Sequence, residues 1–186
     1  SCLCTTTPRV PGSMARGFQS AGVTLLERPS IPKLRVQRMP GAVNRGDGLP
    51  AQPNTVVGAG PWTMWLAPAE WLIYALDGSR ASLMEMADPW VRSGSYVCAD
   101  VSSGLSLLEL SGPGAVELLA AGCGLDLEGN AVPQNHCAQT LFHQVALILH
   151  RPGGVDEWRL IVDRSLSLFL FDSLSSAHEV RSLRSR

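Results

Sequence analysis

The sequence is short of the patterns that announce chemistry. It has no G-x-x-x-x-G-K-[S/T] loop to cradle a phosphate and no G-x-S-x-G elbow to present a serine nucleophile. Its five cysteines, Cys2, Cys4, Cys98, Cys123 and Cys137, are odd in number and contain no C-x-x-C pair. A disulfide framework and a zinc knuckle are therefore not indicated, and a reducing, cytoplasmic setting is expected. No run approaches the roughly 18 apolar residues that a membrane helix needs. The opening "SCLCTTTPRVPGSMARGFQS" lacks an apolar core, so a secretory signal is not expected, and Met14 is a candidate second start. Charged residues are scarce at 17%, whereas 45% of the chain is hydrophobic. That balance excludes a disordered chain and allows one sizeable core within 186 residues.

The charge that is present is unevenly spread. Up to residue 46 the chain carries Arg9, Arg16, Arg28, Lys33, Arg35, Arg38 and Arg45 against Glu27 alone, while the whole chain sums to -1. Proline, glycine and asparagine break this region into short apolar runs. It reads as a basic, irregular N-terminal arm over 1–54, attached to a single acidic α+β domain over 55–186. Such an arm suits its own body or an acidic protein partner. Nucleic acid is disfavoured, because Phe18 is the arm's one aromatic residue for stacking a base.

The body is patterned more clearly. "WTMWLAPAEWLIYAL" reads as a hairpin, and Asp77-Gly78-Ser79 then opens a helix with Leu83, Met84 and Ala87 on one face and Pro89 near its end. "SYVCADV" is a strand. Leu105 to Leu110 is an interior strand, followed by a short helix after Pro113 with Val116, Leu119 and Ala120 buried, stopped by Gly122 or Gly124. Leu141 to His150 reads as one long strand. Trp158, Leu160 and Val162 alternate on the return strand, and Asp163 or Ser165 caps a last helix lined by Leu166, Phe169, Leu170, Leu174 and Ala177. "EWLIYALDGSRASLMEM" and "EWRLIVDRSLSLFLFDSL" share one pattern: acid, tryptophan, aliphatic strand, aspartate, serine, apolar helix. Two hairpin-plus-helix units are thus expected to form a mainly antiparallel sheet with helices packed on it.

The candidate chemical groups do not converge. "VVGAGPW" has Thr63 where a dinucleotide fingerprint needs its third glycine, and it leads into a strand instead of a helix. His136, His143 and His150 recur every seven residues, but on one strand the last two face opposite ways, which does not suit a tetrahedral metal. Cys137 has no activating neighbour in sequence. Trp71 and Trp158 occupy matched strand positions and read as core. Trp62, Trp65 and Trp90 are freer to meet a partner, and Arg35 and Arg38 are candidate charged contacts with it.

As an ordered set, "WLAPAEWLI", "DVSSGLSLLELSGPGAVELLAAGCGLDL", "CAQTLFHQVALILHR" and "EWRLIVDRSLSLFLFDSL" resemble the gamma-subunit family of heterotetrameric sarcosine oxidase over roughly Trp62 to Ala177. That family is distantly similar to the T protein of the glycine cleavage system, where an Asp-x-Ser strand is followed by glycine and a helix, as at Asp100, Ser102, Gly112 and Ala115. The T protein's aromatic-Thr-Gly-Glu turn is replaced here by Arg151-Pro152-Gly153-Gly154. The resemblance implies an accessory subunit with no catalytic residue of its own, working with alpha, beta and delta subunits. FAD, FMN, NAD, zinc and tetrahydrofolate are then held by those partners, and the complex converts sarcosine or a related secondary amine to glycine, hydrogen peroxide and methylenetetrahydrofolate. The alternatives are a stand-alone folate-dependent one-carbon transferase, with Asp100 or Glu157 as its acidic residue, and a free-standing protein-binding module.

Overall fold

The computed structural model describes residues 16–20, 22–28, 30–42 and 48–184, with side chains through 179. Cys2, Cys4, Arg9, Met14 and Arg45 lie outside the described residues. Eleven strands and three helices follow in order: β1 (Gly17–Ser20), β2 (Val23–Arg28), β3 (Lys33–Arg38), β4 (Val56–Val57), β5 (Trp62–Ala67), β6 (Glu70–Tyr74), α1 (Arg80–Arg92), β7 (Tyr96–Asp100), β8 (Leu105–Ser111), α2 (Ala115–Ala120), β9 (His136–Phe142), β10 (Val145–Arg151), β11 (Glu157–Asp163) and α3 (Ser167–Arg184), the last preceded by a 3-10 turn at Arg164–Leu166.

The strands form two antiparallel sheets instead of one, ordered β1-β2-β8-β11-β10-β9 and β4-β5-β6-β3-β7. They stack face to face. Ile31, Met64, Leu66, Leu72, Leu107 and Ile161 fill the space between them. α2 and α3 cover the outer face of the six-stranded sheet, where Leu118, Leu119, Leu170 and Leu174 meet Leu25, Leu108, Leu110, Trp158 and Leu160. α1 covers the other outer face, with Leu83 and Ala87 against Val36, Trp71 and Ile73. Strands buried on both faces lose the alternation of apolar and polar residues. That is why β6 and β11 read as nearly continuous aliphatic runs in the sequence.

The two hairpin-plus-helix units belong to a longer duplication. Each unit runs strand, strand, edge strand, hairpin, helix: β2, β3, β4, β5–β6, α1 and then β7, β8, β9, β10–β11, α3. The first strand of each unit is exchanged. β2 pairs with β8 of the second unit, and β7 pairs with β3 of the first. Trp71 and Trp158 face Val36 and Leu110 in matching registers, and both are buried.

The stretch expected to be an irregular arm supplies β1, β2 and β3. Its short apolar runs are central strands: Leu25 and Val36 are fully buried. Turn residues between the runs mask the strand signal: β2 pairs with the short β1 and the distant β8, β3 with the distant β6 and β7, and β2 and β3 do not pair with each other.

Several local expectations are also corrected. Leu141 to His150 is not one strand, for the chain reverses at His143 and Gln144 and β9 pairs with β10. His143 takes a left-handed φ of 51°, a turn that glycine or asparagine would have signalled. α2 ends with Ala121 in the right-handed region, and neither Gly122 nor Gly124 adopts a positive φ. Gly122 is needed for space, because a Cβ there would come within 2.7 Å of the Phe142 ring. Met84, Leu166 and Phe169 are exposed, and Ala120 too is outside the core. The buried side of α3 instead includes Phe171 and His178.

Candidate functional site

A polar cluster lies inside the protein, between the sheets. Trp62 on β5, Tyr74 on β6, His150 on β10 and Arg159 on β11 converge there. Cross-strand registers place them: Trp62 pairs with Tyr74, and His150 with Arg159. The Arg159 guanidinium lies 3.9 Å from the centre of the Trp62 ring and donates to the Tyr74 hydroxyl at 2.8 Å. The Trp62 and Tyr74 rings stack at 5.2 Å.

Hydrogen-bond logic fixes the proton positions. Arginine has only donors, so the Tyr74 oxygen accepts from it, and the Tyr74 O–H donates to His150 Nδ1 at 2.6 Å. His150 is therefore the neutral tautomer with its proton on Nε2, and that N–H has no partner among the described residues. Burial, reinforced by the positive Arg159, pushes the His150 pKa down to about 3. Burial also drives the Tyr74 phenol well above its usual value despite the opposing Arg159 charge. Nearby Cys137 donates its thiol to the Trp65 carbonyl at 3.4 Å, and burial raises its pKa to about 12. An imidazole, a phenol and a thiol thus sit together, each held neutral at physiological pH. The arrangement can bind and brace; proton transfer would need pKa values nearer 7.

Beside this cluster a cavity of about 340 Å³ is lined by Thr24, Leu26, Glu109, Ser111, Glu157 and Arg159 among others. A second, of about 290 Å³, opens at the other end of the intersheet layer around Arg35, Leu72, Leu105, Gln139, Ile148 and Asp163. Among the described residues no group of three histidine, cysteine, aspartate or glutamate side chains could hold a metal ion. His136 bonds the Gln134 carbonyl, and His143 sits in a turn.

The residues singled out from sequence are not gathered in one place. Trp62 belongs to the buried cluster. Trp65 and Trp90 are half-buried against the outer core beneath α1, as is Cys98. Arg35 is exposed and paired with Glu70 through a 2.6 Å Nε bond. Arg38 donates to the Pro68 carbonyl at 3.0 Å and lies 5.8 Å from the Trp71 ring centre. Asp100 accepts from Ser102 and pairs with Arg80. Burial raises its pKa, but those hydrogen bonds and the guanidinium outweigh it and hold the carboxyl below its usual value. Glu157 is exposed at the start of β11. "VVGAGPW" is the β4–β5 turn, and a Cβ on Gly58 (φ +95°) would fall 2.2 Å from the Pro61 carbonyl oxygen. The Tyr74–His150–Arg159 cluster escaped notice in the sequence. Its one signal is an arginine inside the otherwise aliphatic "EWRLIVD".

Two stacked antiparallel sheets, an exchanged strand between repeated units and a closed polar layer define a duplicated α+β fold. The glycine cleavage system aminomethyltransferase T from Bartonella henselae has this fold, with a TM-score of 0.62 over 83% of this chain and 45% of that one, at 17% identity. More particularly, the chain belongs to the family described as sarcosine oxidase, gamma subunit, which matches residues 41–179. It is 32% identical over 150 residues to the sarcosine oxidase subunit gamma of an Arthrobacter species, covering 76% of this chain and 73% of that protein. The corresponding subunit of Corynebacterium sp. strain U-96 is 28% identical over 173 residues, covering 85% and 83%. A chain of the heterotetrameric sarcosine oxidase from Corynebacterium sp. U-96, solved with pyrrole 2-carboxylate, superposes with a TM-score of 0.70 at 26% identity, over 83% and 85% of the two chains.

Proposed function

We propose that the chain is a non-catalytic accessory subunit of a cytoplasmic, sarcosine oxidase-type heterotetramer, assembled with alpha, beta and delta partners. Those partners hold the FAD, FMN, NAD, zinc and tetrahydrofolate, and the complex oxidises sarcosine or a related secondary amine to glycine, hydrogen peroxide and methylenetetrahydrofolate. One observation beyond family membership carries the accessory role. The groups that could do acid–base or nucleophilic work between the sheets, His150, Tyr74 and Cys137, are buried and held in their neutral forms. A brace of this kind keeps two sheets in register, as a subunit that presents fixed surfaces requires.

Co-expression with the other subunits of a sarcosine oxidase-type complex tests the reading. A yellow, flavin-containing complex should co-purify with the tagged chain, and amine oxidation should survive replacement of Tyr74 or Cys137 whenever assembly survives. Calorimetric binding of tetrahydrofolate to the isolated chain, or loss of turnover in a fully assembled Cys137→Ser complex, would count decisively against it.

A further inference from the structure

The cavity of about 340 Å³ beside the buried cluster is lined by one face of the six-stranded sheet. Cross-strand pairing lays that lining out as a grid. Thr24 stands beside Ser111 and Ser111 beside Glu157 in one row, and Leu26 beside Glu109 and Glu109 beside Arg159 in the next. Leu76, just past β6, adds to the apolar wall.

Arg159 is the unusual member. It is only 8% exposed, yet its one hydrogen bond among the described residues goes to the Tyr74 hydroxyl, and no carboxylate there pairs with it. Glu109 lies directly across the strands, but its carboxylate accepts from Arg28 at 2.8 Å. The face of the Trp62 ring offsets part of the charge, and the remaining guanidinium donors are left over. A buried cation in that state is costly unless something else meets it. Glu157 is the converse: an exposed carboxylate at the rim with no ion-pair partner among the described residues. Glu157 and Arg159 share one face of β11 two positions apart, about 7 Å along the strand. The Thr24 and Ser111 hydroxyls beside them likewise have no hydrogen-bond partner among the described residues.

We propose that this cavity binds an aliphatic α-amino acid as its zwitterion, the carboxylate on Arg159, the ammonium on Glu157 and the side chain against Leu26 and Leu76. A guanidinium fork matches a carboxylate in shape and charge. A simple carboxylic acid would meet the repulsion of Glu109 and Glu157, and a simple amine that of Arg159. Arg28, Arg159, Glu109 and Glu157 already balance, so a ligand of zero net charge leaves the cavity neutral. The volume lies within the range of small-molecule sites. The site adds binding and no reaction step, and it does not depend on the accessory role.

Calorimetric titration of L-leucine into the purified full-length chain is the test, and saturable one-to-one binding is expected. Two analogues read the two ends separately. Leucinamide lacks the carboxylate and N-acetyl-leucine lacks the ammonium, and each should bind about tenfold more weakly or worse. Glu157→Gln should weaken leucine about tenfold and bring it level with N-acetyl-leucine, whereas Arg38→Gln, under the other sheet's outer core, should change nothing. Glu157 is exposed, so its variant should fold, and an unchanged melting temperature checks this. The analogues need no variant, which keeps the test sound even if Arg159 cannot be replaced without unfolding. Absence of leucine binding overturns the proposal. So does binding of leucinamide or N-acetyl-leucine as tight as that of leucine, or leucine binding that Glu157→Gln leaves unchanged.

Discussion

At the scale of single residues, buried polar groups set this protein's response to pH and to mutation. Tyr74→Phe removes the hydroxyl that serves both Arg159 and His150, leaving a guanidinium donor and an imidazole acceptor without partners. A loss of about 1–3 kcal/mol is expected in urea unfolding, with no change in the far-UV spectrum. His150 contributes a pH dependence of definite sign. Its folded pKa of about 3 lies below the unfolded value near 6.5, so the unfolded chain takes up the proton first. The contribution is whole above pH 6.5 and lost progressively as the pH falls toward 3. His150→Gln should flatten that part of the stability profile; an unaltered profile would deny the imidazole its neutral, buried state. Lys33 acts at the other end of the scale, with a folded pKa of about 8 against 10.5. Stability should rise between pH 8 and 10.5 as the buried charge is relieved, and Lys33→Met should abolish that rise.

At the scale of elements, the tightest constraint is the corner joining β8 to α2. Gly112 has φ +108°, and a Cβ there would sit 2.1 Å from the Gly22 carbonyl oxygen in the β1–β2 turn. Gly112→Ala combines strain in a region L-residues avoid with a clash against backbone. A destabilisation of about 3 kcal/mol or more in thermal or urea melting is expected. The same corner shows what could be read from the chain beforehand. The strand "LSLLEL", the short helix after Pro113 and the Ser79 cap on α1 were legible, because periodicity and capping are local. β2 and β3 were not, because the strands that place them inside their sheets, β8 for β2 and β6 and β7 for β3, lie far along the chain. The two-residue turn at His143 and Gln144 was hidden too, since its left-handed residue is neither glycine nor asparagine. The Tyr74–His150–Arg159 contacts cross from one sheet to the other, and no spacing along the sequence encodes them.

At the scale of the whole molecule, apolar exposure concentrates where α3 begins. Leu166, Leu168 and Phe169 are 40%, 47% and 57% exposed within four residues. In an accessory subunit such a patch belongs against a partner, and Phe169→Asp should reduce recovery of the assembled complex while leaving the melting temperature of the isolated chain within a degree or two. Equal recovery of the two complexes would remove this patch from the interface.

The exchanged strands carry a consequence for biosynthesis. Leu25 must find Leu110, and Val36 must find both Trp71 and Cys98, before either sheet is complete. While only the first unit has left the ribosome, β2 has the short β1 beside it but lacks β8, and β3 lacks its β7 neighbour. Neither half can close its sheet alone, so folding waits for synthesis to pass β8 and then proceeds as one event. Pulse-proteolysis of stalled nascent chains should show no protected fragment when β8 is still inside the exit tunnel, and abrupt protection of the whole sandwich once β11 has emerged. A nascent chain released early would display open strand edges, β2 without β8 and β3 without β7, which are templates for pairing with other chains.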